Sequence, residues 1–270
     1  MDWTDIYASR QNRTVLTASV TGVEEFVLNN NPFLCLVMQD GDTKGLIPLP
    51  ESGIEPGPNK YATINRLMNF LNQEIAFVVI GIDRENNLYV ASRKQALEKL
   101  SSRTWQFLKP DQIRNAIVRR YYKTFTPEGR EKLIGIIVEI DGIEGILPSG
   151  EISHGFTEDL PQPGEEIQVK IIKADPENKK LVVSRKALLP DPWPACTLKY
   201  KKGGTYMGTV TGIAEYGVFI NFEPGVSALC KHPKAGKVSP GDKVAVTVIS
   251  VDPQKKRITG AISRIVFRAG

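Results

Sequence analysis

The sequence predicts an all-β protein: three tandem copies of one strand-built domain with short helical inserts and linkers. Three observations carry that expectation. Short segments rich in β-branched and aromatic residues alternate apolar with polar positions, the period of half-buried strands. Lys44-Gly45-Leu46-Ile47-Pro48 recurs as Glu144-Gly145-Ile146-Leu147-Pro148 and, more loosely, as Ser227-Ala228-Leu229-Cys230. Asp83 precedes Ser92-Arg93-Lys94 by nine residues, Asp175 precedes Ser184-Arg185-Lys186 by nine, and Asp252 precedes Ser263-Arg264 by eleven. Such recurrence marks diverged copies of one structural unit.

Copy one occupies residues 12–97. Residues 13–23 and 33–38 read as strands, and 45–48 begins a third. A helical insert over 61–72 places Ile64, Leu67, Met68 and Leu71 on one face, ahead of strands at 75–82 and 88–91. Phe33 is its one aromatic near the position that matters in copy three, and Pro32 stands beside it.

Copy two occupies residues 98–188. A bridge over 95–109 starts as a short helix and contains Trp105 and Phe107. The first strand, 113–122, leads into Arg119-Arg120-Tyr121-Tyr122-Lys123, which reads either as a set of phosphate contacts or as a solvated strand end. In the second strand, 133–140, Gly135 is flanked by Ile134 and Ile137. Aliphatic side chains offer no π-face, so this surface is expected to dock protein rather than bases. Residues 188–195 hold three prolines in five positions, from Pro190 to Pro194, and predict a stiff, extended spacer.

Copy three occupies residues 189–270 and centres on Glu215-Tyr216-Gly217-Val218-Phe219-Ile220-Asn221-Phe222. Glycine inside a strand often marks a bulge, which shifts the alternation by one. A bulge at Gly217 turns Tyr216 and Phe219 outward and Val218, Ile220 and Phe222 inward. The two rings then form a stacking platform for unpaired bases; the other reading places both in the core. Charge separates the copies. Residues 1–100 carry 9 basic and 12 acidic side chains, residues 101–188 carry 14 and 13, and residues 189–270 carry 12 and 5. The net +7 of the last third coincides with the aromatic pair, as expected where a polyanion binds.

Gly208-x-Val210, Tyr216-Gly217-x-Phe219, Gly225-Val226-x-x-Leu229, Gly241-x-x-Val244 and Asp252-x-x-x-x-Arg257-Ile258 stand in a fixed order over about sixty residues. That ordered set resembles the S1 RNA-binding domain, a five-stranded oligonucleotide-binding (OB-fold) barrel. Asp191-Pro192-Trp193 with Tyr200 and Gly203, and Ser184-Arg185-Lys186-Ala187, resemble repeat joins of the bacterial ribosomal protein S1 family. The resemblance spans 110–264 and, more loosely, 12–97. It implies that copy three binds single-stranded RNA such as mRNA. Tyr216 and Phe219 are then the stacking pair, and Lys231 or His232 stands where the family has a histidine. Asp252 and Arg257 flank the groove, with Lys255 and Lys256 adding field. Local alternatives stay open, for Asp252 as a turn cap and for His232 as a surface histidine. Copies one and two are expected to dock to the small ribosomal subunit or another protein.

Other classes find little support. Only His154 and His232 are present, and no Walker loop, GxGxxG after a strand or GxSxG elbow occurs, so neither an enzyme nor a cofactor or metal is expected. Cys35, Cys196 and Cys230 are widely spaced and read as free thiols of a reducing compartment. The acidic start (Asp2, Asp5) is unlike a signal or transit peptide, and the longest apolar run, 75–82, is too short for a bilayer. A cytoplasmic protein without membrane contact is expected. The competing function is a scaffold of barrels that binds protein, with the basic end as a general polyanion patch.

Overall fold

A computed structural model describes residues 2–28, 31–127, 129, 131–155, 160–233 and 236–269. Helix α1 (Trp3–Asn12) precedes strands β1 (Leu16–Ser19), β2 (Gly22–Leu28), β3 (Asn31–Asp40) and β4 (Thr43–Pro48). Helices α2 (Leu49–Ser52) and α3 (Lys60–Met68) then lead to β5 (Glu74–Asp83) and β6 (Leu88–Ser92). The Asn59 side chain accepts the Ala62 N–H and so starts α3. These strands form one six-stranded sheet in the order β1-β5-β6-β4-β3-β2.

The expectation of a five-stranded barrel is corrected here, because the first strand is broken in two. Val20 donates to the Gln73 carbonyl while the next residue, Thr21, donates to the Val37 carbonyl. The chain thus passes from pairing with β5 to pairing with β3, and its own continuity links the two ends of the sheet. Leu36, Ile47, Leu67, Phe70, Ile75, Phe77 and Val79 fill the interior.

Helix α4 (Arg93–Thr104), capped by the Ser92 hydroxyl on the Gln95 N–H, follows directly. Strands β7 (Ile113–Phe125), β8 (Glu131–Ile140), β9 (Ile143–Pro148), β10 (Glu166–Asp175) and β11 (Lys180–Ser184) close into a barrel ordered β10-β11-β9-β8-β7. Helix α5 (Trp193–Lys199) opens the last segment. It leads to β12 (Thr205–Ala214), β13 (Gly217–Glu223), β14 (Val226–Lys231), β15 (Lys243–Asp252) and β16 (Arg257–Phe267), a second closed barrel ordered β12-β13-β14-β16-β15. In all three segments the pairings are antiparallel except one: β4 with β6, β9 with β11 and β14 with β16 run parallel.

One turn recurs three times. Asp83, Asp175 and Asp252 each accept the backbone N–H three residues on, from Asn86, Asn178 and Lys255, at 3.2, 3.1 and 3.0 Å. In each case the following residue (Asn87, Lys179, Lys256) adopts φ near +50°. The aspartate closes the turn by replacing a backbone acceptor, so the spacing that marks the repeats in sequence is a turn requirement.

The chain forms two compact units, residues 1–149 with 161–184 and residues 150–160 with 185–270. Inside the first, the six-stranded segment and the first closed barrel share a buried ionic cluster. Arg93 Nη2 lies 2.6 Å from Glu139 Oε2, and Arg119 meets both oxygens of Glu139 at 3.0 and 3.1 Å. Arg119 also donates to Gln73 Oε1 and the Glu74 carbonyl, and Gln73 donates back to the Arg119 carbonyl. Burial alone would raise the Glu139 carboxyl; Arg93 and Arg119 outweigh it and hold that group below its ordinary range. Arg120 is paired with Glu144 and Lys123 with Glu131. Of the two readings of 119–123, the buried ion pair removes Arg119 from any phosphate-binding set, while Arg120 and Lys123 stand at the surface in ion pairs.

The spacer reading of 188–195 is corrected as well. Trp193 starts α5, with Pro194 in the first turn, where a missing N–H costs nothing. The indole is 6% exposed, packs in the core of the last barrel with Cys196 and Tyr200, and donates to the Gly225 carbonyl at 3.0 Å. All three cysteines are buried and unbridged, and burial pushes the thiols of Cys35 and Cys230 up to about 11. Among the described residues no helix is long and apolar enough to cross a membrane.

Candidate nucleic-acid interface

The site builds from Gly217 outward. A Cβ on this residue would lie 2.6 Å from the Cys230 carbonyl oxygen, so β13 can begin beside β14 only with glycine there. Gly135 in β8 meets the Leu147 carbonyl at the same 2.6 Å. The expected bulge at Gly217 is replaced by this close approach. The register shifts instead between Val210 and Gly212 of β12 and between Asn221 and Glu223 of β13.

Tyr216 ends the turn before β13 and is 71% exposed. Phe219 is half-buried, edge-on to Tyr216, with ring centroids 6.0 Å apart and planes at 89°. Val218 and Ile220 point into the core, while Phe222 stacks on Tyr200 at 4.9 Å. Tyr216 and Phe219 therefore lie outside the core. Their edge-to-face contact fixes the angle between the rings, and most of Tyr216 stays in solvent.

Strand registers extend this surface into a row. Phe219 stands opposite Leu229, Leu229 opposite Thr259, and Thr259 opposite Ser250. The next row holds Asn221, Ser227, Arg257 and Asp252. The equivalent row in the first closed barrel is Ile137, Ile146, Val182 and Lys173. In the six-stranded segment it is Val37, Leu46, Val90 and Gly81. There Val37 and Leu46 are buried beneath Phe26, Phe33 and Leu88. Phe33 thus lies four positions before the platform position and helps to cover that face, a correction to its placement by sequence.

The remaining predicted residues fall around the Phe219 row. Lys231 is exposed at the end of β14, and His232 follows it with Nε2 bonded to the Ala214 carbonyl at 2.8 Å, at the entrance to the turn that carries Tyr216. Arg257 is exposed at the head of β16. Among the described residues neither Lys231 nor Arg257 forms an ion pair. Asp252 closes its turn through the Lys255 N–H, and Lys256 is paired with Asp191. The structure thus brings Tyr216, Phe219, Lys231, His232 and Arg257 around one outer face and leaves Asp252 and Lys256 with structural partners. Leu229, Thr259 and Ser250 belong to the same face and escaped the sequence reading of the site; alternation along β14 and β16 signals the first two, and a register slip in β15 hides Ser250.

Comparison with known proteins agrees with this geometry. The model of the S1 RNA binding domain matches residues 132–186 and 199–263. The chain is 29% identical over 224 residues to small ribosomal subunit protein bS1 of Rhodopseudomonas palustris, covering 78% of this chain and 38% of the relative. It is 33% identical over 198 residues to a 4-hydroxy-3-methylbut-2-enyl diphosphate reductase of Clostridium tetani, covering 67% of this chain and 30% of the relative. A solved protein of Methanocaldococcus jannaschii shares 32% identity over 22% of this chain and 88% of its own, with a TM-score of 0.21. The chain spans about a third of the length of the curated relatives it matches. Residues 132–186 and 199–263 thus carry S1 RNA binding domains, and the chain resembles ribosomal protein bS1.

Proposed function

We infer that the chain is a non-enzymatic, cytoplasmic protein that binds single-stranded RNA, such as mRNA, through residues 205–267. Its first two segments, read as diverged copies of the same barrel, dock to the small ribosomal subunit or another protein. One observation carries the reading: Tyr216 and Phe219 lie outside the core on the face that carries Lys231 and Arg257, two cations without an ion pair among the described residues. Bases stack on such rings whatever their sequence, and cations track the phosphates. The outer face of an OB barrel at its second and third strands, with the loops at its rim, is where oligonucleotides bind. β13, β14 and the Tyr216 turn supply that surface. The equivalent rows of the first two segments are aliphatic or covered, which supports protein contact there. The relatives named as reductases align over less than a third of their length. Titrating labelled single-stranded RNA with the full chain tests the proposal. Phe219→Ala should weaken binding and Ile137→Ala should not. A folded Phe219→Ala variant that binds normally would leave the scaffold reading, in which all three segments hold protein.

A further inference from the structure

The Phe219 row changes character along its length. It starts aromatic, passes Leu229, and ends in two exposed hydroxyls, Thr259 Oγ1 and Ser250 Oγ, 2.6 Å apart. The adjoining part of the barrel continues in kind: Thr247 Oγ1 bonds Ser263 Oγ at 2.8 Å and Thr205 Oγ1 at 3.0 Å. Strands lie about 4.8 Å apart, so Thr259 sits roughly 10 Å across the face from Phe219. That is a distance a bound strand covers while its bases stack on the rings. The charges flanking the row, Lys231 on one side and Arg257 on the other, suit phosphates, and the hydroxyls between them are neutral.

Cross-strand hydroxyl pairs also serve plain sheet stability, so their placement needs a second argument. The internal repeats supply it. At the Thr259 position the other two segments carry Val182 and Val90, and at the Ser250 position they carry Lys173 and Gly81. The same turn and the same parallel closure are built in those segments without either hydroxyl. The pair occurs only in the copy that also has Phe219 in place of Ile137 and Val37. Hydroxyl and aromatic enter the row together.

We propose that Thr259 and Ser250 recognise the ribose 2′-hydroxyl, so that the third barrel selects RNA over single-stranded DNA of the same sequence. The 2′-hydroxyl is both donor and acceptor and is what distinguishes the two nucleic acids at a given site. A side-chain hydroxyl matches it in either sense, whereas a carboxylate would repel the backbone and a lysine would bind phosphate in both. This inference rests on the RNA-binding reading above and assigns the specificity of that same face.

The test uses the full chain and two labelled oligonucleotides, oligouridine and oligodeoxyuridine, which differ only at the 2′ position. The wild type should favour the ribo form. Thr259→Val, which keeps the β-branched shape, and Ser250→Ala should each lower affinity for the ribo form roughly 2- to 10-fold, the worth of one hydrogen bond. Affinity for the deoxy form should stay unchanged, and Thr259→Ser should retain the preference. Thermal melts of each variant exclude unfolding, and Ser250→Ala decides the matter if Thr259→Val is unstable. Equal loss on both oligonucleotides, or an undiminished preference in folded variants, would overturn the proposal while leaving RNA binding intact. If the wild type bound neither oligonucleotide, the RNA-binding reading itself would fall.

Discussion

Glu139 offers the most severe test of how the first unit is held together. Its carboxylate is 6% exposed and is shared by two guanidinium groups that are themselves 0% and 1% exposed, those of Arg93 and Arg119. Arg93 otherwise donates through Nη1 to the Ser52 carbonyl, lies 3.4 Å from Glu144 and 5.0 Å from the Phe70 ring centroid, and its Nε has no hydrogen-bond partner among the described residues. Glu139→Gln keeps the shape and removes the charge, leaving two buried cations of which Arg93 alone keeps a carboxylate, Glu144 at 3.4 Å. Removing one member of a buried ion pair typically costs about 3–5 kcal/mol. For a unit of this size that corresponds to a fall in Tm of roughly 6–20 °C. Circular dichroism melts of the full chain, with hydrogen exchange assigning the transition to residues 1–149 and 161–184, would measure it. Replacing Arg93, Arg119 and Glu139 together by Met should recover most of the loss, because the desolvation penalty then disappears with the charges. The pH dependence has a definite sign. A carboxylate whose folded pKa is depressed contributes stability above its unfolded pKa and loses it as pH falls through the folded value. The wild type should therefore lose this increment on acidification below the ordinary glutamate range, while Glu139→Gln should lack the step. A Glu139→Gln protein within about 1 kcal/mol of wild type would refute the view that this cluster locks the first two segments together.

Three further outcomes are expected. Tyr216→Ala and Phe219→Ala should each weaken single-stranded RNA binding by roughly 1–3 kcal/mol, and melts should show little stability change for Tyr216→Ala, whose ring is largely in solvent. RNA affinity should fall with salt at a log–log slope of about −0.7 per phosphate contact; Arg257→Ala and Lys231→Ala should each flatten the slope more than Lys256→Ala, whose charge is held by Asp191. Trp193→Ala should destabilise the second unit by about 3–5 kcal/mol, because the indole fills the barrel core and satisfies the Gly225 carbonyl; a melt unchanged by that substitution would restore residues 188–195 to a mere spacer.

Sequence alternation sufficed for β14, which shows the buried–exposed period without interruption. It failed where partners distant in the chain decide. Gly217 looks like a bulge in one dimension, yet the Cys230 carbonyl that demands glycine is thirteen residues away. The residues at the real register shifts, Thr211 and Phe222, have no distinctive chemistry. Arg119 reads as a surface cation until Glu139 and Gln73 converge on it from two other stretches of chain. Ser250 and Thr259 are nine residues apart and become neighbours only because the register slips at Ile249. The comparable slips at Ile80 and Ile172 show that the slip belongs to the scaffold. The three segments share the turn, the parallel closure and the slip. They differ in the outward row Val37–Leu46–Val90, Ile137–Ile146–Val182 or Phe219–Leu229–Thr259. Inward positions are constrained by packing and stay apolar, so substitutions on the outward row alter what the surface binds without disturbing what holds the barrel closed.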